Sequence, residues 1–232
     1  MTTAIILAGG LGTRLRSVVA DVPKPMAPVR GEPFLAHLMR YWRGQGVDRF
    51  VLSVSYRRQI IMDHFGTVFE GCPVHYAIED TPLGTGGGLL MALPLIESDE
   101  PFLLLNGDTF FAVPLEDLQS FHKSKNADFS FSLFVPQEEG RYLTLERDAD
   151  ERLLAVKATK KEAGGTANGG VYMVSPPILR SCGFRAGDKV SLEDDLFLTL
   201  QEQGAAFYGL VSNGAFIDIG VPKDYERADE II

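Results

Sequence analysis

The chain has 232 residues, 45% of them hydrophobic and 23% charged, the profile of a folded globular protein and not of a disordered one. At this length folding removes roughly 70% of the unfolded chain's surface from water, so a core forms without staples. Two cysteines, Cys72 and Cys182, lie too far apart for a CxxC pair or a zinc cluster, which excludes a disulfide scaffold and fits a reducing cytoplasm. With 22 Lys and Arg against 31 Asp and Glu the net charge is −9, which argues against nucleic acid and membrane as partners.

Residues 3–7 form a short apolar run closed by Ala8-Gly9-Gly10, the pattern of a buried strand in an α/β sheet. Further strands are predicted at 49–54, 74–78, 101–106, 128–134, 169–174 and 206–211. Amphipathic helices are predicted between the early ones, at 34–46, 59–65, 85–95 and 114–125. This alternation implies an α/β fold, a mixed, mainly parallel sheet flanked by helices, with ligands outside the carboxyl ends of the strands. After Asp128 closely spaced strand-like segments, 142–147 and 153–157, predict a small antiparallel excursion. A helix follows at 191–203, and residues 222–232 read as a docking helix. No repeat or linker divides the chain, so one domain is expected over 1–232.

Gly9-Gly10-Leu11-Gly12-Thr13-Arg14 follows the first strand, where glycines let backbone N–H groups approach a phosphate and Arg14 adds a bidentate donor. Leu15 stands where the dinucleotide fingerprint needs its third glycine, and no GxxxxGK[ST] occurs, so an NAD-dependent oxidoreductase is the weaker reading. Alone, the segment reads equally as a tight turn. Pro23-Lys24-Pro25 predicts a lysine aimed from a stiff, extended loop, or simply a kinked surface loop.

Residues 79–88, EDTPLGTGGG, open the third helix with glycines that would let a flat base lie close to the backbone. Asn106-Gly107-Asp108 ends an apolar strand and directs a carboxylate into the crevice. Asp218, between Ile217 and Ile219, is a second aspartate in an apolar setting. A Mg²⁺ between Asp108 and Asp218 would account for both, although each alone reads as a turn or cap. Asn168-Gly169-Gly170 and Ser191-Leu192-Glu193-Asp194-Asp195 offer groups suited to sugar hydroxyls, and equally an Asn-Gly turn and a helix cap. His37, His64, His75 and His122 show no metal spacing and no nucleophile partner.

Taken in order, GGLGTRLR, PKP, EDTPLGTGG, NGD, NGGVY, SLEDD and FIDIG resemble the sugar-1-phosphate nucleotidyltransferases over residues 3 to about 225. Within that family GTRLRSVVADVPKPMAPV, PLGTGG and NGDTFF are most similar to the branch that guanylylates D-glycero-α-D-manno-heptose 1-phosphate. The resemblance implies a Rossmann-like sheet of the nucleotide-diphospho-sugar transferase type and condensation of NTP with a sugar 1-phosphate, releasing pyrophosphate. It also implies GTP and Mg²⁺ as ligands and a bacterial role in capsule or lipopolysaccharide synthesis.

By the same resemblance Leu7, Ala8, Gly9, Gly10, Gly12, Thr13, Arg14, Glu79, Gly84 and Thr85 hold the nucleotide. Lys24 meets the α-phosphate, Asp108 and Asp218 hold the metal, and Asn106, Lys160, Asn168, Gly169 and Glu193 face the sugar. The catalytic set is Arg14, Lys24 and Asp108. Thr159-Lys160 stands where relatives carry Glu-Lys, with Lys161 as a register alternative, and Tyr142-Leu143 stands for Tyr-Gly.

In-line attack by a phosphate oxygen on the α-phosphorus needs no protein nucleophile, only positioning and charge neutralisation. Glu79 presents only acceptors and so suits guanine N1–H and N2–H, which favours GTP. A hexose 1-phosphate such as mannose 1-phosphate, with GTP, UTP or dTTP, is the second reading. A non-catalytic nucleotide-sugar sensor is a third. Monomer and homodimer both stay open.

Overall fold

A computed structural model describes residues 2–10, 15, 19, 21–136, 138, 142–157 and 164–232. Strand β1 (Thr3–Leu7) alternates Ala4 and Ile6 into one apolar cluster and Ile5 into another, so both its faces are buried and its sequence is apolar from Ala4 to Leu7. The chain then forms the short strands β2 (Pro28–Val29) and β3 (Glu32–Pro33), helix α1 (Phe34–Gly44), β4 (Arg49–Val54), α2 (Arg58–Phe65), β5 (Val68–Phe69) and β6 (Cys72–Ile78). Next come α3 (Gly84–Ala92), β7 (Phe102–Asn106), β8 (Thr109–Phe111), α4 (Leu115–Ser124), β9 (Phe129–Phe134) and β10 (Ala167–Val174). The last third holds α5 (Pro176–Arg180), α6 (Phe197–Glu202), β11 (Phe207–Val211), β12 (Phe216–Asp218), α7 (Pro222–Tyr225) and α8 (Ala228–Ile231).

Eight of these strands form one sheet in the order β11-β9-β10-β7-β1-β4-β6-β5. Its centre, β7-β1-β4-β6, is parallel, while β10 runs against both β7 and β9, and β5 runs against β6. The sheet is therefore mixed and mainly parallel, as the alternation of elements predicts. Helices α1 and α4 cover one face with Phe34, Leu38, Trp42 and Leu118, and α3 and α6 cover the other with Leu89, Phe197 and Leu200. Strand order reverses between β1 and β7, the place where an open α/β sheet parts at its carboxyl edge. There Gly107 N donates to Leu7 O at 3.0 Å, and a Cβ on Gly107 would lie 2.6 Å from that same oxygen. Only glycine allows the two strand ends to close.

Several sequence expectations change. Residues 142–157 form no strands among the described residues, only the single bridges Leu145↔Thr166, Arg147↔Leu153 and Arg152↔Tyr208. The ladder positions beside β9 are already taken by β10 and β11. Antiparallel pairing is made instead by β10 and β5 in the main sheet and by the two-stranded sheets β2-β3 and β8-β12, with Ala167 of β10 paired to Phe134 at the end of β9. The third helix ends at Ala92 and continues as a 3₁₀ turn, Leu93–Leu95, because Pro94 has no N–H to continue an α-helix. Helix 191–203 begins as a π turn, Leu192–Leu196, before α6. Helix 222–232 divides into α7 and α8, where Arg227 N donates to Asp224 O and turns the chain so that Ala228 faces the core. Pro23-Lys24-Pro25 is not an extended loop but leads into a 3₁₀ turn, Lys24–Met26.

On α4, His122 is buried with Nε2 bound to Ser175 Oγ at 3.0 Å and Nδ1 bound to Ser130 Oγ at 2.9 Å. Ser175 Oγ donates to Ala127 O, so Nε2 must carry the imidazole proton and Nδ1 accepts from Ser130. Burial lowers the His122 pKa to about 4, against a smaller opposing pull from Asp128. Between pH 6.5 and 4 the unfolded chain therefore binds the extra proton and the folded one does not, and stability is lost as pH falls. Equilibrium unfolding measured from pH 7 to pH 4 should show about 3 kcal/mol of this loss from His122. His122→Gln should flatten that part of the profile, whereas an unchanged slope would assign acid lability to the carboxylates alone.

Candidate functional site

The carboxyl ends of β1, β4, β6 and β7 open into a cavity of about 610 Å³. Ten of the residues singled out from the sequence line it: Leu7, Gly9, Gly10, Glu79, Gly84, Thr85, Asn106, Asp108, Glu193 and Asp218. Gly12, Thr13, Arg14 and Lys160, with its alternative Lys161, lie outside the described residues. Ala8 is buried behind the lining, its N–H donating to Ser53 O at 2.8 Å. No histidine or cysteine lines the cavity among the described residues.

Asp108 and Asp218 are joined through backbone pairing. The ladder of β8 and β12 sets Asp218 opposite Thr109, and Ile219 N donates to Asp108 O at 3.0 Å. Between the two carboxylates stands Lys24, with Nζ 2.5 Å from Asp108 Oδ2 and 3.6 Å from Asp218 Oδ1. The lysine side chain is 9% exposed and the aspartates 39% and 32%, so the ammonium lies behind the acids while their free oxygens face the cavity. Gly220 N donates to Asp218 Oδ1 and fixes its rotamer.

Two hard oxygen donors already gathered around one positive charge match what Mg²⁺ asks of a protein when phosphates and water complete its shell. Among the described residues no cluster of three or more His, Cys, Asp or Glu side chains forms an all-protein cage. The donor set thus fits a cation shared with a phosphate ligand.

On the opposite wall Glu79 is 5% exposed. Its Oε1 accepts from Ser53 Oγ at 2.8 Å and its Oε2 from Leu83 N at 2.9 Å, leaving each oxygen one further lone-pair direction. The glycines after it have a different reason from the one their sequence suggests. A Cβ on Gly84 would lie 2.6 Å from Val190 O, one on Gly87 2.6 Å from Asp188 O, and one on Gly88 2.6 Å from Ser53 Oγ. The run is glycine-rich because other protein segments press against it, and Gly84 also holds φ at +80°.

The sugar-side expectations divide. Glu193 reaches the cavity from the π turn, where loss of hydration and then the neighbouring Asp194 charge raise its carboxyl above the ordinary range. Ser191 both caps this turn, accepting from Asp194 N at 3.1 Å, and lines the cavity. Asn168 does not line it. Its Nδ2 donates to Tyr172 OH at 2.7 Å, and its Oδ1 accepts from Gly170 N. Gly169 is also withdrawn, packed where a Cβ would strike the Phe111 ring.

Tyr172, fully buried, is the β10 residue that does reach the wall, its phenol pKa raised by burial. A register shift between Asn168 and Tyr172 redirects it, and the paired glycines inside a strand were the available signal for such a bulge. Thr109 and Leu192, which lie inside the NGDTFF and SLEDD segments, also line the cavity, and so does Ser53, which belongs to no motif.

Comparison with known proteins follows the same lines. The nucleotidyl transferase family profile matches residues 3–232. The chain is 40% identical to a D-glycero-alpha-D-manno-heptose 1-phosphate guanylyltransferase of Aneurinibacillus thermoaerophilus, over 98% of this chain and 96% of that one. It is 36% identical to the protein of the same name from Campylobacter jejuni, over 96% of each chain. It superposes on the crystal structure of HddC from Yersinia pseudotuberculosis complexed with GMP-PN with a TM-score of 0.85, at 37% identity and 99% coverage of both. With a profile matched over nearly its whole length and an acid-lined cavity at the strand ends, the chain belongs to the nucleotidyl transferase family.

Proposed function

We propose that the protein condenses GTP with D-glycero-α-D-manno-heptose 1-phosphate to give GDP-heptose and pyrophosphate. The observation that carries the chemistry is the Asp108–Lys24–Asp218 arrangement on a cavity large enough for a nucleotide and a sugar phosphate. The substrate pair is supported by two relatives of that name, each matched over 96% of its length, and by a structural relative that holds GMP-PN.

In this reading a phosphate oxygen of the sugar 1-phosphate attacks the α-phosphorus, and the bond from that phosphorus to the bridging oxygen of pyrophosphate breaks. Lys24 neutralises the charge that builds on the α-phosphate, and Arg14 draws the polyphosphate toward the turn after β1. Asp108 and Asp218 would hold the divalent cation, which when bound supplies Lewis-acid neutralisation of the phosphate oxygens. Glu79 accepts from guanine, and Glu193 with Asn106 receives sugar hydroxyls. Buried and unpaired, Cys72 and Cys182 support a reducing compartment, the cytoplasm. The GDP-heptose so formed serves a bacterial surface polysaccharide.

Pyrophosphate release over a grid of four NTPs and a panel of sugar 1-phosphates should be confined to GTP with the heptose phosphate and should require Mg²⁺. Turnover with mannose 1-phosphate instead would keep the chemistry and change the substrate, and nucleotide binding without turnover anywhere on the grid would favour a sensor. Asp108→Asn should lower kcat by about 100-fold or more at unchanged thermal stability; retained turnover would remove Asp108 from the mechanism. Glu79→Gln should reduce the preference for GTP over UTP by about 10- to 100-fold. An unchanged preference would assign base reading to backbone groups.

A further inference from the structure

The turn that opens α3 and the segment that carries Glu193 are bound to each other by three hydrogen bonds. Val190 N donates to Leu83 O at 2.8 Å, Gly87 N donates to Val190 O at 2.9 Å, and Leu192 N donates to Thr85 Oγ1 at 3.0 Å. The first two pair backbone with backbone, as strands do. The third replaces a backbone acceptor with a side chain. It lands one residue before Glu193, at the point where the chain enters the π turn.

Upstream, Leu83 N donates to Glu79 Oε2. A hydrogen-bonded path therefore runs from Glu79 through Leu83 to Val190, and a separate bond joins Thr85 to Leu192, the residue beside Glu193. Within the π turn the path is closed by Ser191 N donating to Asp195 Oδ2 at 2.7 Å. Single-turn π segments recur where a helix must redirect a side chain into a site.

We propose that Thr85 is a positioning residue for the sugar side of the cavity: by holding Leu192 N it fixes Glu193 relative to the nucleotide turn, so that the two substrate sites are set as one unit. The inference rests on the reading above, in which Glu193 faces the sugar. It differs from the family resemblance, which puts Thr85 on the nucleotide alone. The hydroxyl accepts from Leu192, and the loss of that acceptor leaves an amide without its partner at the hinge of the π turn. Thr85 is exposed, so exchanging its hydroxyl for a methyl leaves the core intact.

The test is a double-mutant cycle with steady-state kinetics on the full chain. Thr85→Val should raise KM for the sugar 1-phosphate about 3- to 10-fold, the worth of one neutral hydrogen bond, and by a larger factor than KM for GTP. Thr85→Ser, which keeps the acceptor, should restore the parent value. Thr85→Ala provides a second loss of the acceptor should the valine be poorly accommodated. Glu193→Gln should raise the same KM, and the double variant should cost less than the product of the two single effects, since both act through one contact.

A rise in KM for GTP with the sugar KM unmoved in Thr85→Val would overturn the inference, as would strictly multiplicative effects. If Glu193→Gln moves the sugar KM and Thr85→Val does not, the inference fails while the functional reading stands. If Glu193→Gln has no effect on it, the assignment of Glu193 fails and the inference falls with it.

Discussion

One ammonium group ties together three parts of the chain that are remote in sequence. Lys24 comes from a 3₁₀ turn after the first strand, Asp108 from the end of β7, and Asp218 from a strand near the C-terminus. Two carboxylates this close repel each other in a partly dehydrated setting, and a paired cation is what permits them to share a wall. Their approach is fixed by backbone pairing between β8 and β12 and by the contact of Ile219 with Asp108 O, so the ion pair does not itself have to assemble the fold. The charges occupy a frame that hydrogen bonds have already made. Such a site exchanges charge partners without rebuilding its backbone.

The opposite wall follows a different rule. There the design is steric: a run of glycines admits neighbouring segments to within distances at which any side chain would collide. Dense packing of backbone against backbone leaves few ways for the turn after β6 to move independently of residues 188–192. The cavity is thus electrostatic on one side and close-packed on the other, with Asp218 brought to the carboxyl edge of the main sheet by the separate pair β8-β12.

Much of this was legible in the sequence because burial on two faces leaves a direct trace. Strands such as Phe102–Asn106 are apolar without alternation, and a carboxylate closing one, as Asp108 does, is conspicuous. A shared site for Asp108 and Asp218 is readable from the sequence, but Lys24 standing between them is not, since that depends on which short strands pair. The meaning of Gly84 and Gly87 was hidden for the same reason: the segment they admit comes a hundred residues later. Residues 142–157 alternate as strands do, yet they meet the edge strand β11 only at the single bridge Arg152↔Tyr208 and otherwise pair locally, as at Arg147↔Leu153. The π turn at Leu192–Leu196 escaped notice because its spacing differs from that of an α-helix by less than local composition can register. Asn168 and Gly169 belong to a motif that faces the site, yet the bulge in β10 gives that place to Tyr172.

The reversed direction of β10 has an architectural consequence. Because β9 and β10 run in opposite senses, the chain leaves the sheet at Phe134 and re-enters it at Ala167, two residues paired with each other on the ligand side. The two ends of the segment between them, Val135 and Thr166, therefore emerge side by side. Its described part is no free loop: Leu145, Leu153 and Val156 enter the apolar cluster on one face of the sheet, and Leu153 N donates to Phe207 O while Gly209 N donates to Glu151 O, so the segment and the edge strand β11 hold each other in place.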